Sequence, residues 1–249
     1  MNGNELITAM KIHYIGHSGF AIECCNGILI VVDYFNDSEG IIPEILSRAS
    51  KAYILVSHSH PDHFNKHIFH WNSTFPADFA YIVSGELWRK LSHSRHEAIP
   101  DVPIHSLRRG ECYTDENITI HAFGSTDIGV SYLMEIFGRR IFHAGDLNNW
   151  HWSEESTPQE IKTAEGNYLA ILRKIKEQFP AIDIAMFPVD PRIGGDFALG
   201  ARQFMSAIKV ADFIPMHQWG DFSRSCNFSL YSAPGVNCHC MHNGDYLIL

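Results

Sequence analysis

Six consecutive residues constrain this chain most: His58-Ser59-His60-Pro61-Asp62-His63, directly after the apolar run Tyr53-Ile54-Leu55-Val56. The run reads as a buried strand, and the amphipathic stretch beyond the motif as a helix. Three imidazoles and a carboxylate therefore occupy the turn between two packed elements, where folding alone has no use for them. Imidazole and carboxylate are ligands that borderline divalent cations such as Zn²⁺ prefer. His58 and His60 share a face at a strand end, because alternate residues point the same way. Asp62 and His63 turn into a second position nearby, a spacing that suits two metal ions. The chain holds 16 His in 249 residues, so a His-rich solvated loop is the competing reading. The strand before the motif and the amphipathic stretch after it weigh against that.

The remaining pattern mixes strands and helices. Lys11 to Ile15, Phe20 to Glu23 and Ile28 to Asp33 read as strands, the last two joined by the hairpin signal Asn26-Gly27. Helix is expected over Ile42 to Arg48 and Gly85 to Leu91, with strands at Phe79 to Val83, near Ile104 and over Ile118 to Phe123. Val130 to Phe137 and Arg140 to Phe142 form a hairpin around Gly138-Arg139. Thr157-Pro158-Gln159-Glu160 is a capping box opening a long helix, with Ile161, Ala164, Tyr168, Leu172, Ile175 and Phe179 on its core face. A strand at Ile182 to Phe187, a helix at Ala201 to Ile208, a strand at Phe213 to Met216 and two last strands complete the chain. No linker or repeat interrupts residues 1–249, which predicts a single domain. The class is α/β, with mixed sheets covered by helices. Ligand-type residues recur at strand C-terminal ends: Asp33, His58, Asp146 and His217, where open α/β sheets place their sites.

The formal net charge of −9 and the lack of a basic stripe argue against a general nucleic-acid binder. Met1 to Met10 has neither the basic nor the apolar region of a leader, and no apolar run is long enough to span a membrane. The expectation is a cytoplasmic chain whose six cysteines stay reduced, since their spacing fits no disulfide framework. Cys238-His239-Cys240 reads as strand and turn rather than a metal site.

In order and spacing these residues resemble the metallo-β-lactamase superfamily. The chain shows a strand ending in Asp33, the H-x-H-x-D-H motif, a glycine-bearing stretch, Gly145-Asp146, and a late strand ending in His217. Gly16-His17-Ser18-Gly19-Phe20 and Phe142-His143-Ala144-Gly145-Asp146 resemble the branch of ascorbate-phosphate lactonase-like hydrolases. The resemblance implies a four-layer αββα sandwich of two mixed β-sheets covered by helices, with a dinuclear site at one edge. It implies His58 and His60 on the first metal, Asp62, His63 and His217 on the second, and Asp146 bridging. The family's third His for the first metal is missing from Gly124-Ser125-Thr126-Asp127-Ile128-Gly129. Asp127 is the nearest acceptable replacement, and equally a turn residue, so the first site is expected to be the weaker.

The implied cofactors are two divalent ions, Zn²⁺ by ligand type, with Mn²⁺ or Fe²⁺ able to use the same ligands. Asp62 is the candidate catalytic residue, orienting the nucleophile or shuttling a proton. Asp33 is expected to orient a ligand His by hydrogen bonding. His17 and His143 are candidates for the same support or for touching substrate, with a satisfied core histidine as the alternative. Trp150, His151 and Trp152 form either a pocket wall or a packed surface. Arg192 is either a clamp for a phosphate or carboxylate or a solvated loop residue. The function expected is a hydrolase using a metal-bound hydroxide on an ester, lactone or phosphodiester-type bond of a small substrate, an anionic one included. A phosphodiesterase or nuclease, and a metal-binding or sensor protein without turnover, are the alternatives.

Overall fold

A computed structural model describes residues 9–93 and 103–249. Its first strands are β1 (Lys11–Gly16), β2 (Gly19–Glu23) and β3 (Ile28–Val32), followed by α1 (Ile41–Arg48) and β4 (Lys51–Val56). Then come α2 (Trp71–Thr74), β5 (Asp78–Ser84), α3 (Gly85–His93) and β6 (Ile104–Leu107). The second half opens with β7 (Cys112–Thr114), β8 (Ile118–Gly124), β9 (Val130–Ile136) and β10 (Arg139–His143). It continues with α4 (Pro158–Gln178), β11 (Ala181–Pro188), α5 (Leu199–Ala207), β12 (Lys209–Met216), α6 (Phe222–Ser225) and β13 (Asn237–Cys238), and β14 (Tyr246–Ile248) closes the chain.

Among the described residues two mixed seven-stranded sheets result, in the orders β14-β1-β2-β3-β4-β5-β6 and β13-β12-β11-β10-β9-β8-β7. Contacts divide the chain into two compact units, one running to Leu107 and including Met241–Leu249, the other Arg108–Cys240. Each unit is built on one of the sheets.

In the first unit, β3, β4, β5 and β6 run parallel. Parallel strands buried on both faces read as unbroken apolar runs, and every residue of β3 is buried. On one face, Val31, Ile54, Val56 and Tyr81 pack against Ile42, Ile45 and Leu46 of α1 and Leu87 and Leu91 of α3. Each such Ile or Leu contributes roughly 1.5–3 kcal/mol of burial. The Asn26-Gly27 turn has φ of 60° and 73°, the left-handed pair that a tight hairpin needs.

In the second unit, β10, β11 and β12 run parallel while β7 to β10 form an antiparallel meander. The capping box at Thr157 and Glu160 is formed, and Tyr168, Leu172, Ile175 and Phe179 are buried as the periodicity requires. Phe204 of α5 packs on Phe142 and Phe187, with ring centroids 5.2 and 4.9 Å apart. The expectation that all six thiols stay reduced needs correction: Cys226 and Cys240 form a disulfide, with Cα atoms 5.3 Å apart. Fourteen residues of separation give no hint of a closeness that the fold of the segment creates. His239, beside that cystine, contacts Asp212 through Nε2 at 2.7 Å.

Candidate metal centre

Donor residues gather at the C-terminal ends of parallel strands in each unit. In the first unit these are the ends of β3 and β4. Asp33 follows β3 with φ 48°, and its N–H donates to Leu55 of β4. Its side chain is buried and accepts from Ser57 N–H at 2.7 Å, from Ser57 Oγ at 2.5 Å and from His63 Nδ1 at 2.8 Å. Ser57 Oγ, having given its proton to Asp33, accepts from His58 Nδ1 at 2.9 Å. One carboxylate thus orients two imidazoles, His63 directly and His58 through a hydroxyl. With both Nδ1 atoms donating, each lone pair sits on Nε2, the arrangement of a metal-binding histidine.

The turn completes the set. His63 and Phe64 N–H both donate to the His60 carbonyl, which folds the motif back on itself. The His58 ring lies 4.7 Å from that of His60 and 4.1 Å from that of His63. Ligand atoms of Asp33, His58 and His63 fall within 4.8 Å of one another, and so do those of His17, Asp62 and His63. His17, at φ 55° in its glycine-flanked turn, brings Nε2 to 3.1 Å from Asp62 Oδ2. Burial opposes ionisation of Asp62, but the His17 hydrogen bond and the charges of His63 and His17 outweigh it, holding the carboxyl well below the usual range.

In the second unit the donors follow β10, β11 and β12. His217 leaves β12 at φ 62° and lies 3.4 Å from Asp146 Oδ1 through Nε2. Its Nδ1 is 2.9 Å from Asp190 Oδ2, at the end of β11. Asp190 also takes the Arg192 guanidinium through Nε at 3.0 Å and Nη2 at 2.6 Å. Burial pushes the Asp190 pKa up, and the hydrogen bonds from His217 and Arg192 overcome this and lower it. The Arg192 fork stands 4.3 Å over the exposed Trp219 ring. Arg192 is thus engaged by Asp190 and Trp219.

The loop after Asp146 is held from several sides. Thr126 Oγ1 donates to the Asn148 carbonyl at 2.7 Å and accepts from Asn148 N–H at 3.0 Å. Trp150 Nε1 donates to the Asp146 carbonyl at 2.8 Å, and its ring lies 5.5 Å from His217 and 6.0 Å from a stacked Trp152. Gly200 of α5 meets the loop so closely that a Cβ there would lie 1.9 Å from Asn148 Oδ1. His151 is buried, its Nδ1 donating to the Asn149 carbonyl at 3.0 Å. His143 is buried, its Nδ1 accepting from Gly145 N–H at 3.2 Å. Asp127 is exposed at its turn, its N–H donating to Ser125 Oγ at 3.3 Å, and it joins none of the donor clusters found among the described residues.

Of the seven non-glycine residues with positive φ among those described, five are His17, Asp33, Trp152, His217 and Trp219. Such conformations cost of order 1–3 kcal/mol each and persist where the surroundings over-determine them, often at functional sites. Sequence reasoning missed Ser57, Asp190 and Gly200. Asp190 alone carried a signal, since it lies two residues beyond a buried strand, much as Asp33 follows β3.

Comparison with known proteins identifies the family and the fold. Residues 11–162 match the family model of the beta-lactamase superfamily domain, and the chain belongs to that family. It is 28% identical over 218 residues to a UPF0173 metal-dependent hydrolase of Symbiobacterium thermophilum, covering 86% of this chain and 85% of the relative. A UPF0173 metal-dependent hydrolase of Thermococcus kodakarensis is 26% identical over 224 residues, with 84% of each chain covered. Among solved structures, the metallo hydrolase Igni18 of Ignicoccus hospitalis superposes with TM-score 0.65 at 16% identity, covering 97% of this chain and 99% of that one. The two mixed sheets with their helices are the superfamily's fold.

Proposed function

We propose that this chain is a metal-dependent hydrolase that cleaves an ester, lactone or phosphodiester-type bond in a small substrate. The observation that carries the reading is the orientation of His58 and His63 by the single buried carboxylate of Asp33. A buried carboxylate holding two imidazoles in the tautomer that offers Nε2 fits a cation better than it fits any packing need. His58, His60, Asp62 and His63 would be donors from the first unit, and Asp146 and His217 from the second. The donor set is imidazole and carboxylate without thiolate, which suits Zn²⁺ and also Mn²⁺ or Fe²⁺.

A divalent ion held there supplies Lewis acidity and makes water a competent nucleophile near neutral pH. Asp62 Oδ2 lies 3.1 Å from His17 Nε2, and its ionised carboxylate is placed to orient the nucleophile. Asp33 and Asp190 keep His63 and His217 in register. The net charge of −9 supports a small substrate rather than a nucleic-acid polymer.

The test joins metal analysis to a substrate panel of 4-nitrophenyl acetate, a γ-lactone and bis(4-nitrophenyl) phosphate. Protein purified without chelator should carry divalent metal and hydrolyse at least one of the three. Chelation should abolish the activity, and added Zn²⁺, Mn²⁺ or Fe²⁺ should restore it. A chain that takes up none of these ions overturns the reading. Metal uptake with no turnover on any probe would move it to the sensor class.

A further inference from the structure

The second unit contains a cavity of about 330 Å³ between the start of α4 and Trp150. That is at the lower end of the range, about 300–1,000 Å³, typical of small-molecule sites. Trp150 joins it to the donors, since the same side chain binds the Asp146 carbonyl and lies against His217. The indole N–H is consumed by the Asp146 carbonyl, so the cavity meets ring carbon and π face rather than a donor. Thr126 and Thr163 line the cavity, and both hydroxyls donate to backbone carbonyls, Thr126 to Asn148 and Thr163 to Gln159. What they offer a ligand is methyl surface and an acceptor oxygen. Ala164 adds a methyl, and Gln159 and Asn167 bring carboxamides to the exposed rim.

Charge is the discriminating feature. Among the described residues no Lys or Arg lines the cavity, and the one ionisable residue there is Glu160. That carboxylate caps α4, accepting from Thr157 N–H at 2.8 Å and Thr157 Oγ1 at 2.7 Å. A phosphate or carboxylate placed here would find no cation and one anion. A planar neutral group would find an indole wall, methyl surface and two carboxamides able to donate and accept.

We propose that this cavity binds a neutral planar part of the substrate, an aromatic ring or an amide-bearing group, while the scissile bond lies towards Asp146 and His217. This rests on the hydrolase reading for the word substrate, but the binding itself needs neither metal nor turnover.

Benzamide is the probe, with benzoate as the charged control, followed by saturation-transfer NMR on the full chain. Benzamide should bind, and benzoate should bind about tenfold more weakly, a difference near 1.4 kcal/mol. Ala164→Phe, which fills the cavity from α4, should weaken benzamide about tenfold. Thr163→Trp, at an exposed helical position, should do the same with little risk to folding. Unchanged melting temperature and metal content in both variants would tie the loss to the cavity. Absent benzamide binding, or binding equal in wild type and both variants, overturns the proposal. Benzamide binding lost in both variants, in a chain that hydrolyses none of the three probes, supports the site and sinks the hydrolase reading alone.

Discussion

The ends of β3 and β4 in the first unit and of β11 and β12 in the second solve one problem differently. Both set a buried carboxylate against the Nδ1 of a histidine, Asp33 on His63 at 2.8 Å and Asp190 on His217 at 2.9 Å. Asp33 is held by neutral donors from the neighbouring strand, Ser57 N–H and Oγ, and passes the orientation on to His58. Asp190 is balanced by a charged partner, Arg192, whose side chain is about half exposed and leans on Trp219. The first arrangement is local, dry and insensitive to salt. The second depends on a cation at the surface, where screening and side-chain entropy weaken it. The difference makes the first region a fixed scaffold and the second an adjustable one.

That contrast can be broken or sharpened by substitution. Asp33→Ala should have the largest effect, because it releases His63, His58 and the Ser57 N–H together. We expect metal affinity to fall by about 100-fold, the upper end of the range for groups supporting a ligand. Leaving buried donors unpaired should also cost about 1–3 kcal/mol each, read as a lower melting temperature. Gly200→Ala should come next. Its Cβ would collide with Asn148 Oδ1, and forcing the loop after Asp146 to move should cost about 1–3 kcal/mol by denaturant titration. Asp190→Asn keeps the shape but not the charge, and should lower metal affinity by about tenfold. Arg192→Met should be mildest, within about 1 kcal/mol and shrinking in high salt. Were Arg192→Met as damaging as Asp33→Ala in a metal-binding titration, the contrast between fixed and adjustable would be wrong.

Much of the fold was legible because it is written in local periodicity. The unbroken apolar run of β4, the Asn26-Gly27 turn and the Thr157–Glu160 capping box each depend on neighbours in sequence. The hexapeptide His58 to His63 stood out because so many ligand-type side chains fall in one turn. What stayed hidden depends on distant partners. Ser57 looks like any small polar residue until Asp33, 24 residues earlier, lies against it. Asp190 stands beside Arg192, and an arginine near a glycine turn invites an anion, so the carboxylate that binds it drew no notice. Gly200 lies inside a helix, and its need for no side chain comes from a loop some 50 residues away in sequence. The Cys226–Cys240 cystine likewise depends on where the chain returns, which spacing does not encode.

The most direct test of the account is a metal-binding titration of Asp33→Asn beside wild type, with Zn²⁺ and a competing chelator. Asparagine keeps the size of the side chain but removes the charge that orients His63 and His58. The account predicts that wild type retains Zn²⁺ against the chelator while Asp33→Asn, still folded by circular dichroism, binds it at least about tenfold more weakly. Equal affinity in the two proteins would contradict it, because the carboxylate would then be packing rather than support for a metal.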